Sequence, residues 1–129
     1  MNIPTIAVSG GFDPVHRGHV QMIREASQYG NVLVILNSDE WLIRKKGYKF
    51  MSFEERAYIL GNIKGVTIVT SVDDSDGTVC KALERFKPDA FANGGDFALD
   101  RLLGRRIGNH DATGGGTFFF HPLDDHAIM

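Results

Sequence analysis

Residues 32–36 read Val-Leu-Val-Ile-Leu, five apolar residues in a row with no polar position among them. A strand with one wet face alternates apolar and polar residues. An unbroken run has to bury both faces, which is the situation of a central strand in a sheet covered by helices on either side. The run is bounded by Asn31 and Asn37, so Asn31 to Asn37 is read as a strand. Three other segments are read as strands: Ile3 to Ser9, a short apolar run stopping at Gly10-Gly11; Val66 to Val69; and Ala90 to Ala92, ending in Asn93-Gly94-Gly95-Asp96.

Helical patterns lie between these runs. One begins near Arg17 and carries Val20, Ile23 and Ser27 at spacings of three and four. It stops at Tyr29-Gly30, where the glycine is expected to supply a left-handed cap. Ser38 to Ile43 predicts a short helix, followed by a basic loop from Arg44 to Met51. Ser52 and Glu55 predict a capping box ahead of a helix with Phe53, Ala57 and Leu60 on one face. Thr78 to Phe86 predicts a further helix with Val79, Ala82, Leu83 and Phe86 inward. Strands and helices alternating at this spacing imply right-handed βαβ units. The expected fold class is therefore α/β: a Rossmann-like, doubly wound, mostly parallel sheet of about five strands with helices on both faces.

The chain has 129 residues, enough for a single domain over 1–129. Lys and Arg number 14 and Asp and Glu 16, a net charge of −2, so no global basic field draws it to nucleic acid. Its one cysteine, Cys80, forbids an internal disulfide and is expected to be buried and inert. The N-terminus has no charged region before its short apolar run, which is not the pattern of a signal peptide. No apolar stretch is long enough to span a bilayer. Together these point to a soluble cytoplasmic protein with no membrane partner.

In such sheets ligands bind beyond the carboxyl ends of the strands. Three chemically loaded segments fall at such ends: Gly10 to His19, Asn37 to Lys46, and Asn93 to Asp96. In the first, GGFDPVHRGH, His16 and His19 stand three apart at the start of a helix, so both imidazoles share a face. Free backbone N–H groups and the positive end of the helix dipole make that place an anion site. Gly10, Gly11 and Gly18 let the backbone come close to a ligand. Imidazoles there can donate to phosphate oxygens and stabilise charge as it develops, with no covalent intermediate. A zinc site would need a third ligand that the segment lacks, and neither the dinucleotide fingerprint nor the P-loop is matched. No protein metal site is expected.

GGFDPVHRGH resembles the HxGH signature of the cytidylyltransferase-like nucleotidyltransferases. Further matches follow in order: NSDEW, KKG, FEERAYIL and PDAFANGGD. Within that superfamily the series is similar to glycerol-3-phosphate cytidylyltransferases and heptose-1-phosphate adenylyltransferases. The likeness covers about residues 4 to 96. It implies transfer of CMP or AMP from CTP or ATP, CTP slightly favoured, to a phosphorylated small alcohol or sugar, with release of pyrophosphate. Mg²⁺ would be held by the phosphates and water, not by a protein cage.

The resemblance also implies roles. His16, His19 and Lys46 would act on the triphosphate. Gly10, Gly11, Phe12, Asp13, Gly18, Gly94, Gly95 and Asp96 would bind nucleotide, Asp13 shaping its loop or facing the acceptor. Lys45 and Arg56 would support the acceptor or phosphate. Two of these have plainer counterparts, Arg56 as a surface ion pair with Glu54 or Glu55 and Asp96 as a helix cap, and Trp41 is read as packing for the short helix ahead of stacking on a base. Asp73, Asp74 and Asp76 are read as a solvated turn capping the next helix.

After Asp96 the chain departs from the family pattern. Leu99 to Ile107 is read as a helix, Gly114 to Gly116 as a turn, and Thr117 to Phe120 as a last strand. No ISTT-like, hydroxyl-rich phosphate segment follows, and no closing helix. His110, His121 and His126 are read as tail residues. Apolar surface left open by a missing segment would favour a homodimer. The second functional reading is accordingly a module that binds nucleotide without turnover. A dinucleotide-binding or redox domain has only the layer architecture in its favour.

Overall fold

The computed structural model describes residues 3–93, 97–100, 105–109 and 119–122, with side chains described as far as residue 92. Elements run in the order β1 (Thr5–Gly10), α1 (Arg17–Ala26), β2 (Asn31–Leu36), α2 (Asp39–Lys46), α3 (Phe53–Gly61), β3 (Val66–Thr70), α4 (Cys80–Phe86) and β4 (Ala90–Asn93). Three short strands follow: β5 (Phe97–Asp100), β6 (Arg105–Asn109) and β7 (Phe119–Pro122). The main sheet has the order β3-β2-β1-β4-β7. Its first four strands are parallel, and β7 runs antiparallel along β4.

The apolar run of β2 sits where its composition requires. Val32 to Leu36 are all buried, with β1 on one side and β3 on the other. Alternate residues feed two cores. Val32, Val34 and Leu36 join Ile6 and Val8 under α1 and α3, against Ile23, Ala26 and Leu60. Leu33 and Ile35 join Ala7 under α4, against Ala82 and Leu83. Helices thus cover both faces, and full burial of each such aliphatic side chain contributes roughly 1.5–3 kcal/mol.

Several local expectations are corrected. Gly30 is not a left-handed cap, because α1 ends at Ala26 with Ser27 as its right-handed C-cap. A Cβ at Gly30 would lie 2.1 Å from the Pro4 carbonyl oxygen, so the glycine is there for close approach to the strand beside it. α2 extends to Lys46, taking in Arg44 and Lys45 from the expected basic loop, and ends on Gly47 at φ 86°. Charged straight-chain residues are good helix formers, and cations are favoured in a last turn. At α3 the Ser52 side chain accepts from the Glu55 N–H, one arm of the expected box.

Asp74 is buried rather than part of a solvated turn, whereas Asp73 and Asp76 are exposed and bond their own loop. Cys80 is free and only half-buried. The expected helix over Leu99 to Ile107 is replaced by strands β5 and β6, which pair antiparallel. Gly104 would cost a helix there about 1 kcal/mol relative to alanine. No helix among the described residues is long and apolar enough to cross a membrane.

Candidate active site

The strand order reverses at β1, which has β2 on one side and β4 on the other. The crevice beyond the carboxyl ends of β1 and β4 is therefore the switch point of the sheet. The loop leaving β1, Gly11 to His16, opens directly onto it. Gly94, Gly95 and Asp96, expected at the end of β4, lie outside the described residues.

His16 is the N-cap of α1, with extended backbone at φ −142°. Its Nδ1 accepts from the Gly18 N–H at 3.0 Å. In return the His19 Nδ1 accepts from the His16 N–H at 3.1 Å. This is a capping box built from two imidazoles in place of the usual hydroxyl and carboxylate. It also fixes their chemistry. A ring nitrogen that accepts from a backbone N–H carries no proton, so in each neutral ring the proton is on Nε2. Among the described residues neither Nε2 has a partner, and both remain available as donors.

The two rings stack with centroids 3.8 Å apart, and the edge of Phe12 meets His19 at 4.7 Å. Burial, followed by the neighbouring His16, pushes the His19 pKa down to about 4. His19 is therefore a neutral donor at physiological pH. Phe12 is buried with φ at 51°, a left-handed conformation unusual for a side chain of its size. Backbone strain of this kind gathers at functional loops.

Asp13 holds the middle of the loop. Its fully buried carboxylate accepts from the Lys46 Nζ at 2.8 Å, from the Phe50 N–H at 2.7 Å and from the Met51 N–H. Burial works to raise its pKa, but the Lys46 bond and the two backbone N–H groups outweigh it, and the net shift is downward. Lys46 also donates to the Asp13 carbonyl at 2.7 Å and lies over the Tyr48 ring. The structure thus brings Lys46 to the histidine loop as an anchor of Asp13. Lys45 is exposed, with its ammonium over the Trp41 ring at 5.1 Å.

Gly11 makes room for α2. A Cβ there would lie 2.7 Å from Leu42 Cδ2 and 3.2 Å from the Trp41 ring. At Gly10 the corresponding neighbour is the Phe12 ring. The close approaches these glycines permit are within the loop's own support.

Arg56 does not pair with Glu54 or Glu55. It turns inward and is fully buried. Nε donates to the Met51 carbonyl at 3.0 Å, and Nη1 donates to the carbonyls of Gly11 and Asn37, each at 2.8 Å. Nη2 donates to the Asp39 carboxylate. One guanidinium therefore ties together the ends of β1 and β2, the first turn of α2 and the segment before α3. With four donors spent, it supports the histidine loop from behind.

Sequence reasoning missed Asp74. Asn37 Nδ2, the Ser38 N–H and the Ser38 hydroxyl all donate to it, at 2.9, 2.8 and 2.7 Å. Burial would raise its pKa, but these donors hold it below the ordinary value. Three Asp/Ser-rich positions in a turn gave no local sign of which would turn inward. Among the described residues no three His, Cys, Asp or Glu side chains form a metal-ligand cluster. A groove of about 760 Å³ along the outer side of α1, between Arg17 and Lys64, is lined by none of these site residues.

Residues 7–107 match the family described as cytidylyltransferase-like. The chain belongs to the cytidylyltransferase-like family. The family members it is similar to include the bifunctional protein HldE of Geobacter sulfurreducens, 35% identical over 105 residues, and that of Helicobacter pylori, 31% identical over 105 residues. Each alignment takes in 79% of this chain. The chain spans about a fifth of the length of these relatives, 21% and 22% respectively. Among solved structures, the fold is similar to a lipopolysaccharide core biosynthesis protein from Thermoplasma volcanium. The TM-score is 0.62 at 20% identity, over 68% of this chain and 71% of that one.

Proposed function

We propose that this cytidylyltransferase-like chain is a nucleotidyltransferase that passes AMP from ATP to a phosphorylated sugar and releases pyrophosphate. An oxygen of the sugar phosphate attacks the α-phosphorus, and the bond from that phosphorus to the bridging oxygen of the β-phosphate breaks. The acceptor oxygen is already a nucleophile, so the reaction needs positioning and charge neutralisation and no general base. The observation that carries the reading is the histidine capping box. It presents two Nε2–H donors side by side at a helix N-terminus, in the crevice where the strand order reverses.

In this scheme His16 and His19 donate to phosphate oxygens and strengthen those bonds as charge builds up at the α-phosphate. Asp13, Lys46 and Arg56 hold the loop in shape. Lys45, an exposed cation of the same helix end, meets the outer phosphates or the acceptor. Gly18 supplies the backbone N–H that orients His16. Gly94, Gly95 and Asp96 are assigned to nucleotide binding on the family resemblance alone. Mg²⁺, bound to the substrate phosphates and water, would supply further charge neutralisation.

ATP replaces the slight preference for CTP drawn from the sequence. Of the two branches the motifs resemble, the sugar-phosphate one is favoured by the HldE relatives and by the lipopolysaccharide core biosynthesis neighbour. We assign the activity to one cytoplasmic domain. Pyrophosphate release with ATP and with CTP, across a panel of sugar and polyol phosphates, tests this. Release with ATP and a sugar phosphate at least about tenfold above CTP, about 1.4 kcal/mol in transition-state binding, is the expected result. Preference for CTP and a polyol phosphate would overturn the assignment. A rise in melting temperature with nucleotide but no release with any acceptor would favour a binding module without turnover, the reading motivated by the divergent tail.

A further inference from the structure

α2 is an unusual support for a reactive loop. It has eight residues, and only Leu42 among them is buried. So short a helix has little intrinsic stability, and one apolar contact does not fix its direction. Polar contacts supplement its packing on Gly11 and the Arg56–Asp39 pair, and the β3–α4 turn provides them at both ends. The Asp74 carboxylate accepts from the Ser38 N–H and hydroxyl, and that hydroxyl accepts from the Trp41 N–H to cap the helix. The Asp74 backbone carbonyl accepts from Arg44 Nη2 at 2.8 Å, in the last turn. Two residues further on, Lys46 reaches Asp13 in the histidine loop.

We propose that Asp74 is a positioning residue for the histidine loop, acting through α2: it grips the helix at Ser38 and Arg44 and so sets where Lys46 holds Asp13. This rests on the reading of His16 and His19 as phosphate donors. The three groups that face the Asp74 carboxylate at hydrogen-bond distance (Asn37 Nδ2, Ser38 N–H and Ser38 Oγ–H) are all placed as donors. An amide in its place keeps one acceptor oxygen but turns an NH₂ group toward the donors on the other side. The helix then loses its fixed direction even if the fold survives.

The test reads the loop without any substrate. Long-range ¹H–¹⁵N spectra of the imidazoles in the full chain report which ring nitrogen accepts from the backbone. Asp74→Asn is expected to shift the His16 and His19 ring nitrogens, Lys46→Met to shift them the same way, and the double variant to add nothing further. In turnover, Asp74→Asn is expected to lower kcat about tenfold while KM for the triphosphate moves less than about threefold, the pattern of an interaction made in the transition state. A folded Asp74→Asn protein with wild-type imidazole spectra overturns the proposal, as do shifts that sum in the double variant or a loss confined to KM. If Asp74→Asn does not fold, Ser38→Ala removes one of the same bonds and is expected to give smaller shifts in the same direction; unchanged spectra there overturn it equally. A wild-type chain that releases no pyrophosphate defeats the functional reading, while the spectra still decide the role of Asp74.

Discussion

The His19 Nδ1 accepts the backbone N–H of His16 at 3.1 Å, so His19 also caps the helix that carries it. A substitution there removes a donor and a cap together. His19→Asn keeps a side-chain oxygen able to cap, whereas His19→Ala keeps neither. His19→Ala is expected to lower stability by about 1 kcal/mol, the usual worth of an N-cap bond, with His19→Asn recovering most of it. Both should lose activity alike. Urea midpoints set beside initial rates would separate the two roles.

Because His19 titrates near 4, its charge does not change across the physiological range. The unfolded chain takes up a proton at an ordinary histidine pKa near 6.5, before the folded one does. Stability is therefore full above about pH 6.5 and declines as pH falls toward 4. An NMR titration of the His19 ring carbon checks this directly. A midpoint near 6.5 would remove the physical basis for a neutral donor.

Asp13, Asp39 and Asp74 all have carboxyl pKa values held below the ordinary 3.8. Burial opposes this in each case, but Lys46 and backbone N–H groups win at Asp13, Lys49 and Arg56 at Asp39, and Asn37 and Ser38 at Asp74. Their contribution is complete above the unfolded-state value and is lost as pH drops below about 4 through the folded values. Acid unfolding should accordingly steepen below pH 4. Substituting Asp74→Asn should flatten that limb of the melting-temperature profile.

Arg56→Met should be among the most damaging single changes in the chain. It strips the Arg56 donor from one oxygen of the Asp39 carboxylate, whose other oxygen keeps Lys49, and from the carbonyls of Gly11, Asn37 and Met51. Removing one partner from a buried ionic network costs about 3–5 kcal/mol. Arg56→Lys is not expected to rescue it, since one ammonium cannot serve carbonyls on three separate segments. Chemical denaturation of the two variants is the measurement.

Gly30→Ala should cost more than Gly11→Ala. A Cβ at Gly30 meets a backbone oxygen at 2.1 Å, but at Gly11 it meets the end of the Leu42 side chain, which can move. The expected losses are roughly 3 kcal/mol or more and about 1–2 kcal/mol respectively. Thermal melts of the two proteins would rank them.

Much of the scaffold was legible because its signals are local. The apolar run at 32–36 announced a doubly covered central strand, and Ser52 announced the start of α3. The histidine pair was legible for the same reason, since three-residue spacing at a helix start has one geometric meaning. The partners of Arg56 and Asp74 were not. Whether a polar residue turns inward depends on which carbonyls or N–H groups await it, and here most of those come from segments 19 to 45 residues away. Gly30 misled because a glycine after a helix suits a left-handed cap, while its true constraint is the Pro4 carbonyl across the sheet. The reach of α2 was missed because three consecutive cations suggest a loop, although the same residues complement a helix C-terminus.

The central claim is that His16 and His19 stabilise the transferring phosphate in a nucleotidyl transfer. Its most direct test is the rate of pyrophosphate release from ATP with a sugar phosphate, in the wild-type chain and in His16→Ala and His19→Ala proteins shown to be folded. Wild-type release is expected, and each substitution should lower kcat/KM by about 10²-fold or more, the usual worth of one preorganised donor. Release that survives both substitutions largely intact would contradict the mechanism.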